Sequence, residues 1–497
     1  MPRVAQGGGS LKALCLANIA ANMDKLWCKH FMQRYYGQGH FLYILGPFDE
    51  LPPALTGLLW GHLKARRMLR KHHLYLLISP YASSLDFSSS DADLTTMLLL
   101  AGQRCFNLRH LDLSSCKLPK MQFSETLPLL TGLVSLNLSR SSVTDTLLSI
   151  VGLYCPLLTS LDLSYCTQLT DAGLLTLFLE QDAEGNAVAG RFGVCTRLSK
   201  LLVAGSQGVT AAGAAAVLLH LPELQVFDFQ GTAAVVTRLA ATHGLAGLRL
   251  RVLHTSPEEE QDLPAVLALC PDLQHLHLVT FPGLAEDTSL LALLDTRELR
   301  ELRVCNEPGA LSLPVASHLA PVLQAHGATL ASLALAEVRE VPVARLAALC
   351  PALLHLSLQW NEAYVWDGAP ATAFPCLLTA EVTCREEGEP TDQVPPEHLA
   401  AVLLSPHLHT LRLSHTSTLT DHLTSEVLAS GALSSLKSLQ LGRCDEVTLE
   451  GLAQLLHSHN PLEEARFAMC EQVTLSDFQD YQRKVKRRGW SLQLAWS

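Results

Sequence analysis

The sequence predicts an α/β solenoid of stacked repeats preceded by a small α-helical region. A motif of the form L-x-x-L-x-L recurs along most of the 497-residue chain, and most of its steps are 23 to 28 residues long. The N-terminal part lacks this motif but carries apolar residues at helical spacing. Apolar residues make up 48% of the composition, which is enough to build a long core.

The chain begins with MPRVAQGGG, which contains no apolar stretch and is predicted to be a disordered lead over residues 1–9. A helical region is predicted over residues 10–72. Its first helix carries Leu11, Cys15 and Ile19 at positions i, i+4 and i+8, which lie on one side of a helix. Spacing alone leaves open whether this side faces the chain's own core or another protein.

The second helix of this region lies within DELPPALTGLLWGHL. Asp49 is expected to cap it, and Pro52 and Pro53 are expected to begin it, since proline suits the first helical turn. Five leucines then form its apolar side: Leu51, Leu55, Leu58, Leu59 and Leu63.

Stacked repeats are predicted over residues 73–474, in about fifteen units. Each unit forms a short strand, whose alternate leucines point inward, and a helix that covers them. The middle leucine of the motif sets the register: Leu85, Leu111, Leu136, Leu161, Leu201, Phe227, Leu253, Leu276, Leu302, Leu333, Leu356, Ala380, Leu411, Leu439 and Ala465. The longest step contains residues 180–193, which are predicted to be a surface insertion.

Most of the fourteen cysteines occupy fixed positions in the repeat. Cys116, Cys166, Cys444 and Cys470 follow a strand, and "CP" pairs such as Cys155-Pro156 end helices. The sequence therefore predicts small buried spacers in a reduced, intracellular protein. No C-x-x-C pair is present, which argues against a structural zinc site.

Thr-Asp pairs, at Thr144, Thr170 and Thr420, are expected to cap the helices of their repeats. The final residues, 475–497, are predicted to be a cap made of a helix and a strand, because the end of a solenoid must be covered. The basic run at 483–488 fits the last turns of that helix, with a nuclear-import signal as the alternative.

The combination LxxLxLSxC, LTDxGL and CPxL resembles the cysteine-containing class of leucine-rich repeats, over roughly Ser84 to Met469. This class is typical of F-box receptors and of the zyg-type receptors of cullin 2. The resemblance implies an α/β leucine-rich-repeat solenoid of the cysteine-containing type. The zyg-type receptors hold their substrate in a further armadillo-type module, which this sequence lacks, so their substrate class is not carried over.

The stretch from Ser10 to Ile19 resembles the BC box, a small residue followed by Leu-x-x-x-Cys-x-x-x-aliphatic. Receptors of this family insert the leucine into an apolar pocket of Elongin C and pack the cysteine beside it. The resemblance implies binding of Elongin C, with Elongin B, by four residues: Leu11, Leu14, Cys15 and Ile19.

The stretch Leu51-Pro52-x-x-Leu55-x-x-x-Leu59 resembles the cullin 2 box. The cullin 5 box has Leu-Pro-x-Pro, whereas this chain has Ala54 at the last position, so cullin 2 with its RING protein is favoured. Both boxes in this order form a VHL box. The resemblance implies the substrate-recognition subunit of a cullin–RING E3 ubiquitin ligase.

Two alternatives stay open at this stage. The Leu-Pro helix start also resembles an F-box, which docks on a Skp-type adaptor, although the following KARRMLRKHHLYLLIS lacks the expected Cys and Trp. The second alternative is a leucine-rich-repeat scaffold with no role in ubiquitin transfer.

The strand faces that alternate with the leucines are expected to bind the target protein or peptide degron. The candidates on the strands are His254, His275, His277, Arg303, His355 and Arg412. The loop that follows one strand adds Trp360, Tyr364 and Trp366, for which packing on the next repeat is the alternative. A metal held by the first three histidines is the alternative. It is disfavoured because no acidic residue or cysteine is placed to complete the ligand set.

Other classes of function are disfavoured. A net charge of −11 argues against nucleic acid as the main partner, and no apolar run is long enough for a membrane span. Phosphate-binding loops, H-E-x-x-H and G-x-S-x-G are lacking, so the sequence predicts a non-enzymatic subunit with no cofactor. The expected location is the cytoplasm, with the nucleus as an additional site if the basic run is an import signal.

Overall fold

The structure is a computed structural model that describes residues 11–35, 46–89, 93–181, 187–192, 195–243, 247–255, 262–280, 288–306, 313–365, 373–386, 389–457, 461–487 and 492–496. The chain divides into two compact units, Gly8–Leu250 and Arg251–Ser497. No helix in the described ranges has both the length and the apolarity that crossing a bilayer requires.

The first unit begins with helices, as the sequence predicts. They are α1 (Leu11–Asn22), a π-helical turn (Met23–Cys28), α2 (Lys29–Tyr35), α3 (Pro53–Ala65) and α4 (Lys71–Leu77). Helix α1 packs against α3, and α4 packs against the π-helical turn. Met23, Leu59 and Leu63 are at most 1% exposed, so these helices share a core.

Helix α3 begins differently from the prediction. Pro52 is its N-cap residue and no side chain caps it. Asp49 is buried and accepts a hydrogen bond from the backbone N–H of Gly46 instead. The prediction that Asp49 caps this helix is therefore wrong, because the carboxylate closes the turn that precedes it.

The repeats of the first unit form a six-stranded parallel sheet in the order β1-β2-β3-β4-β7-β8. Its strands are β1 (Ser84–Asp86), β2 (His110–Asp112), β3 (Ser135–Asn137), β4 (Ser160–Asp162), β7 (Lys200–Leu202) and β8 (Val226–Asp228). The helices of this part of the chain are α5 (Leu94–Arg104), α6 (Lys120–Thr126), α7 (Asp145–Tyr154), α8 (Asp171–Leu175), α9 (Ala211–His220) and α10 (Thr232–His243), with a 3₁₀ turn at Leu127–Leu129. The predicted insertion contains an antiparallel pair, β5 (Leu179–Gln181) and β6 (Ala187–Phe192).

The second unit forms a ten-stranded parallel sheet in the order β20-β19-β18-β17-β16-β14-β12-β11-β10-β9. Its strands are β9 (Val252–His254), β10 (His275–Val279), β11 (Glu301–Cys305), β12 (Ser332–Ala336), β14 (His355–Gln359), β16 (Thr379–Thr383), β17 (Thr410–Ser414), β18 (Ser438–Gly442), β19 (Glu464–Ala468) and β20 (Gln493–Trp496). A separate pair joins β13 (Arg339–Val341) to β15 (Glu362–Tyr364).

Helices cover one side of these strands in the second unit. They are α11 (Leu263–Leu269), α12 (Val315–His318), α13 (Ala320–His326), α14 (Val343–Leu349), α15 (Pro396–Leu403), α16 (Asp421–Ala429), α17 (Leu449–His457) and α18 (Leu475–Arg487), with 3₁₀ segments at Thr288–Asp295 and Pro390–Asp392. Strand β20 pairs with β19, so the C-terminal residues do form the predicted helix and strand.

The predicted register of the repeats is confirmed. In the first unit, Leu85 lies opposite Leu111, and the pairing continues through every predicted position to Phe227. In the second unit, it runs from Leu253 to Ala465 and ends on Leu494. Alternation along each strand buries these side chains against the covering helices.

The cysteines at the predicted repeat positions are buried, as expected of spacers, whereas Cys305 on β11 and Cys376 are exposed. Cys116, Cys166 and Cys195 are buried. Their thiols donate to backbone carbonyls of earlier repeats; the Cys166 thiol lies 3.2 Å from the carbonyl oxygen of Leu138. Burial raises the pKa of the Cys195 thiol to about 12, so the group stays protonated. Cysteine therefore fits because it is small and its S–H satisfies a buried carbonyl.

The Thr-Asp pairs link neighbouring repeats. Thr210 donates its backbone N–H and its hydroxyl to the two carboxylate oxygens of Asp171, at 2.8 and 2.6 Å. A Cβ added to Gly213 would lie 2.1 Å from the same carboxylate, so a larger residue there would displace the Asp171 side chain from its hydrogen bonds. Thr144 and Thr420 cap their helices as predicted, whereas the Thr170 side chain caps nothing and donates to the preceding repeat's carboxylate instead.

Candidate functional site

The outer face of α1 is apolar and open to solvent. Leu11 is 79% exposed, Leu14 is 54% exposed, and Cys15 is also exposed. Ile19 is half-buried, because the helix turns its later residues towards α3. Neighbouring large apolar side chains that are exposed together are characteristic of interaction sites. This face therefore has the character of a docking surface. Ser10, the small residue of the predicted box, lies outside the described residues.

The start of α3 exposes only part of the predicted cullin box. Pro52 is exposed, and Leu51 and Leu55 are half-buried. Leu59 is 1% exposed and lies in the core that α1 and α3 share, so it is not available to a partner in this structure. This removes Leu59 from the predicted contact set. Leu58, its neighbour, is 42% exposed and is the leucine of this helix that faces outward.

Helix α3 is fastened to the first repeat by polar contacts. The indole Nε1 of Trp60 donates to the backbone carbonyl of Asp86 at 2.8 Å, and the Lys64 ammonium pairs with the Asp86 carboxylate. The pKa of Asp86 is lowered, since hydrogen bonds from Lys64 and Ser88 outweigh the effect of its burial. The helical region is therefore positioned rigidly on β1.

Sequence reasoning missed two exposed apolar residues that follow α1. Leu26 is 59% exposed and Trp27 is 38% exposed, and the Trp27 ring packs against Phe48 with a centroid distance of 5.3 Å. Both lie on the π-helical turn, which rotates successive side chains differently from an α-helix. A helical-wheel argument with regular spacing could not place them.

Two rows of strand residues hold most of the predicted substrate contacts. His275 lies opposite Glu301, and this row leads across the sheet to His355. In the next row His254 lies opposite His277, followed by Arg303, and the row leads on to Arg412. His355, Arg303 and Arg412 are exposed. The structure thus places these predicted residues on one face of the second unit's sheet.

Two of the three clustered histidines contact an acidic residue, contrary to the prediction that none is placed to complete a ligand set. Glu301 lies 2.8 Å from Nδ1 of His275 and 3.6 Å from Nε2 of His277, and it also pairs with Arg303. The contact with His277 and the hydrogen bonds from His275 and Arg303 lower the pKa of Glu301, against its burial. The cluster is an ion-pair network rather than a convergent ligand set.

His254 is the buried member of this cluster. Its ring meets the His277 ring edge to face, with centroids 4.3 Å apart. Burial, with His277 and Arg303 as cationic neighbours, lowers the pKa of His254 to about 4, and Glu301 opposes this shift. His254 therefore stays neutral at physiological pH.

The predicted aromatic group separates in the structure. Trp360 is 45% exposed and has a left-handed backbone, with φ of 52°. Tyr364 is 8% exposed, so it packs within the chain on β15 and is not a surface anchor. Burial of the Tyr364 hydroxyl raises its pKa strongly. Trp366 lies outside the described residues.

A polar groove lies beside the ends of strands β16 to β19, and the sequence analysis missed it. It has a volume of about 660 Å³, and its lining includes Arg385, Glu386, His415, Arg443, Asp445 and Glu471. His415 and Arg443 have positive φ, like Trp360 and Met469 at the same point of their repeats. These residue types do not themselves predict a left-handed backbone, so the sequence carries no signal that could have located the groove.

The comparisons with known proteins concern the repeats. A family profile described as "Leucine Rich repeat" matches residues 104–118 and 154–178. The fold is an α/β leucine-rich-repeat solenoid. No curated protein matches the chain in sequence.

Among solved structures, the complex of Rad7 and Elc1 in yeast has a chain that is similar over 95% of this chain and 96% of its own, at 14% identity and a TM-score of 0.47. The TLR13–ssRNA13 complex matches over 85% and 65%, at 13% identity and a TM-score of 0.33. LegL7 from Legionella pneumophila matches over 56% and 83%, at 13% identity and a TM-score of 0.30. At these values the likenesses bear on neither partners nor activity.

Proposed function

We propose that this chain is the substrate receptor of a cullin–RING ubiquitin ligase. The N-terminal helices bind Elongin C and cullin 2, and the repeats hold a target protein. The receptor contributes proximity between the target and a ubiquitin-loaded enzyme, with no reacting group of its own. We expect this assembly to operate in the cytoplasm.

The observation that carries the proposal is the exposed apolar face of α1. Leu11, Leu14 and Cys15 are the residues that a BC box presents to Elongin C, and all three are exposed in the isolated chain. A helix that lays apolar anchors into a groove is a recurring mode of recognition. Had these residues been buried under the chain's own helices, the motif resemblance would have a purely structural explanation.

The second support is the position of the cullin-box segment. Helix α3 packs directly against α1, so the two boxes belong to one helical assembly. The contact surface for cullin 2 would consist of Leu51, Pro52 and Leu55, with Leu58 in place of Leu59. The RING protein would bind through cullin 2, and Elongin B would bind through Elongin C.

The groove beside strands β16 to β19 supports a target site in the second unit. Its lining carries both signs of charge: Arg385 and Arg443 on one hand, Glu386 and Glu471 on the other. A peptide degron that carries both acidic and basic residues would match it. His355, Arg303, Arg412 and the exposed Trp360 would extend the contact over the strand face.

The test is reconstitution with purified partners. The full chain is mixed with Elongin B/C and analysed by size-exclusion chromatography, and the same is done with Leu11→Ser combined with Cys15→Phe. We expect the double substitution to abolish co-elution while leaving thermal unfolding unchanged. Leu153→Ser is the matched control, because Leu153 is 57% exposed on α7, away from the predicted boxes.

A pull-down from cell extract, with the full chain as bait, separates the alternatives. Recovery of a Skp-type adaptor without Elongin C would favour the F-box interpretation. Recovery of neither adaptor would leave the scaffold interpretation. If the double substitution unfolds the chain, the α1 face belongs to the internal core and the receptor proposal fails.

A further inference from the structure

The helical region brings four ligand-type side chains together. Asp24 and Cys28 lie on the π-helical turn, and His72 and His73 lie in the first turn of α4. One ligand atom from each of the four lies within 4.8 Å of the other three. Among the residues that the structure describes, no other group of three or more histidine, cysteine and acidic side chains converges in this way.

The polar atoms of the group are now at hydrogen-bond distances, shorter than the spacing of ligands around a metal. Oδ1 of Asp24 lies 2.6 Å from Nε2 of His72 and 2.6 Å from Nε2 of His73. The two imidazole rings meet edge to face, with centroids 4.6 Å apart. Tetrahedral zinc, with bonds of about 2.0 to 2.3 Å, requires ligand atoms roughly 3.3 to 3.8 Å apart. Shifts of about an ångström would therefore produce zinc coordination.

The local backbone explains why these side chains meet. Asp24 and Cys28 are four residues apart and share a face of their turn, and α4 packs against that turn. Cys28 and His73 are buried, whereas the side chains of His72 and Asp24 are 34% and 43% exposed. The group thus combines a closed interior with a path by which an ion can enter.

We propose that Asp24, Cys28, His72 and His73 bind one zinc ion in a structural site. A thiolate, two imidazoles and a carboxylate are the ligand types that zinc prefers, and four of them leave no open position for catalysis. The thiolate and the carboxylate balance the two positive charges of the ion, so the loaded site is neutral. On binding, the thiol proton of Cys28 passes to solvent.

Zinc binding would break hydrogen bonds that the four side chains make in this structure. Nδ1 of His73 accepts a hydrogen bond from the backbone N–H of Arg70 at 3.2 Å, so the proton of the neutral ring lies on Nε2. For Nε2 to bind zinc, this proton must move to Nδ1, and the bond from Arg70 is lost. The bonds that Asp24 Oδ1 accepts from His72 and His73 are likewise replaced by bonds to the metal.

The ion would join two segments that are far apart in the chain. Residues 24–28 directly follow α1, and residues 72–73 precede the first repeat, so the metal would fasten the predicted docking helices to the solenoid. Closing such a long loop restricts the unfolded state, and metal binding adds to the free energy of folding. The proposal does not depend on which adaptor the helices bind.

The test uses the full chain, purified without affinity metals. Zinc is measured by inductively coupled plasma mass spectrometry, before and after chelation and after addition of one equivalent of zinc. Cobalt is then substituted, because a thiolate ligand gives a charge-transfer band in the near ultraviolet. The variants are Cys28→Ser and, at the partly exposed position, His72→Gln. The controls are Cys376→Ser, at an exposed cysteine outside the group, and His422→Gln, whose side chain is 91% exposed.

We expect about one zinc per wild-type chain, a thiolate–cobalt band, and a fall in melting temperature on chelation that added zinc reverses. Both variants should lose at least nine-tenths of the zinc and the reversible shift, and both controls should keep them. If Cys28→Ser does not fold, His72→Gln decides, with circular dichroism to confirm its fold. The proposal is overturned if the wild-type chain binds no stoichiometric zinc, or if folded His72→Gln binds as much as wild type; Asp24 would then be a metal-free acceptor for two histidines.

Discussion

Two leucines of the helical region should respond to truncation in opposite ways. Leu11 is 79% exposed on α1, and Leu59 is 1% exposed beneath it on α3. Fully burying a leucine side chain is worth about 1.5–3 kcal/mol, so the buried fifth of Leu11 contributes roughly 0.3–0.6 kcal/mol to folding. Truncation of Leu59 should cost about 2–5 kcal/mol, because it also leaves a cavity.

The binding energies should show the reverse order. If Elongin C buries the exposed four-fifths of Leu11, Leu11→Ala should weaken binding by roughly 10- to 50-fold. The free energy of unfolding is measured by urea denaturation, and the affinity for Elongin B/C by isothermal titration calorimetry. Leu59→Ala should keep its affinity wherever the chain is folded. The reasoning is refuted if Leu11→Ala destabilises the chain as much as Leu59→Ala, or if it binds Elongin B/C as tightly as wild type.

Three further predictions follow from the structure. Leu51→Ala combined with Pro52→Ala should release cullin 2 from the reconstituted complex and retain Elongin C, as seen by size-exclusion chromatography. Gly213→Ala should lower the free energy of unfolding by about 1–3 kcal/mol, because its Cβ would lie 2.1 Å from a carboxylate that links two repeats, whereas Gly61→Ala, with nothing within 4 Å, should be neutral or stabilising. The pKa of His254 falls from 6.5 to about 4 on folding, so the unfolded chain binds the proton more readily; stability should fall as pH decreases from 6.5 to 4, and His254→Gln should reduce this slope in urea titrations.

The controls for these predictions lie within the same chain. Loss of Elongin C together with cullin 2 would mean that the Leu-Pro segment supports the whole helical region. Equal effects of the two glycine substitutions would contradict the close approach between Asp171 on α8 and Gly213 on α9. A wild-type slope in His254→Gln would assign the acid sensitivity to other groups.

The repeats were predictable because their signal is local. Alternate leucines can only face one side of a strand, and a single unit cannot bury that side, so the period of the motif determines both the register and the stacking. Even Phe227 and Ala380, which replace leucine, pair where the sequence predicts. The buried cysteines followed from the same period, since they occupy two repeated positions, one shortly after a strand and one at the end of a helix.

The contacts between distant segments were not predictable in this way. The spacing of the leucines in α3 describes an apolar side but not which of them α1 covers, so the burial of Leu59 depended on helix packing. The acidic partner of His275 and His277 comes from the next strand, and register had to place Glu301 beside them.

The sequence by itself thus determined the solenoid and its register, because each depends on residues a few positions apart. Only the tertiary structure decided that the face of α1 is open, that Leu59 is closed, and that Asp24 and Cys28 meet His72 and His73. These outcomes depend on how helices more than forty residues apart in the chain pack together, and the spacing of residues within one helix does not predict that packing.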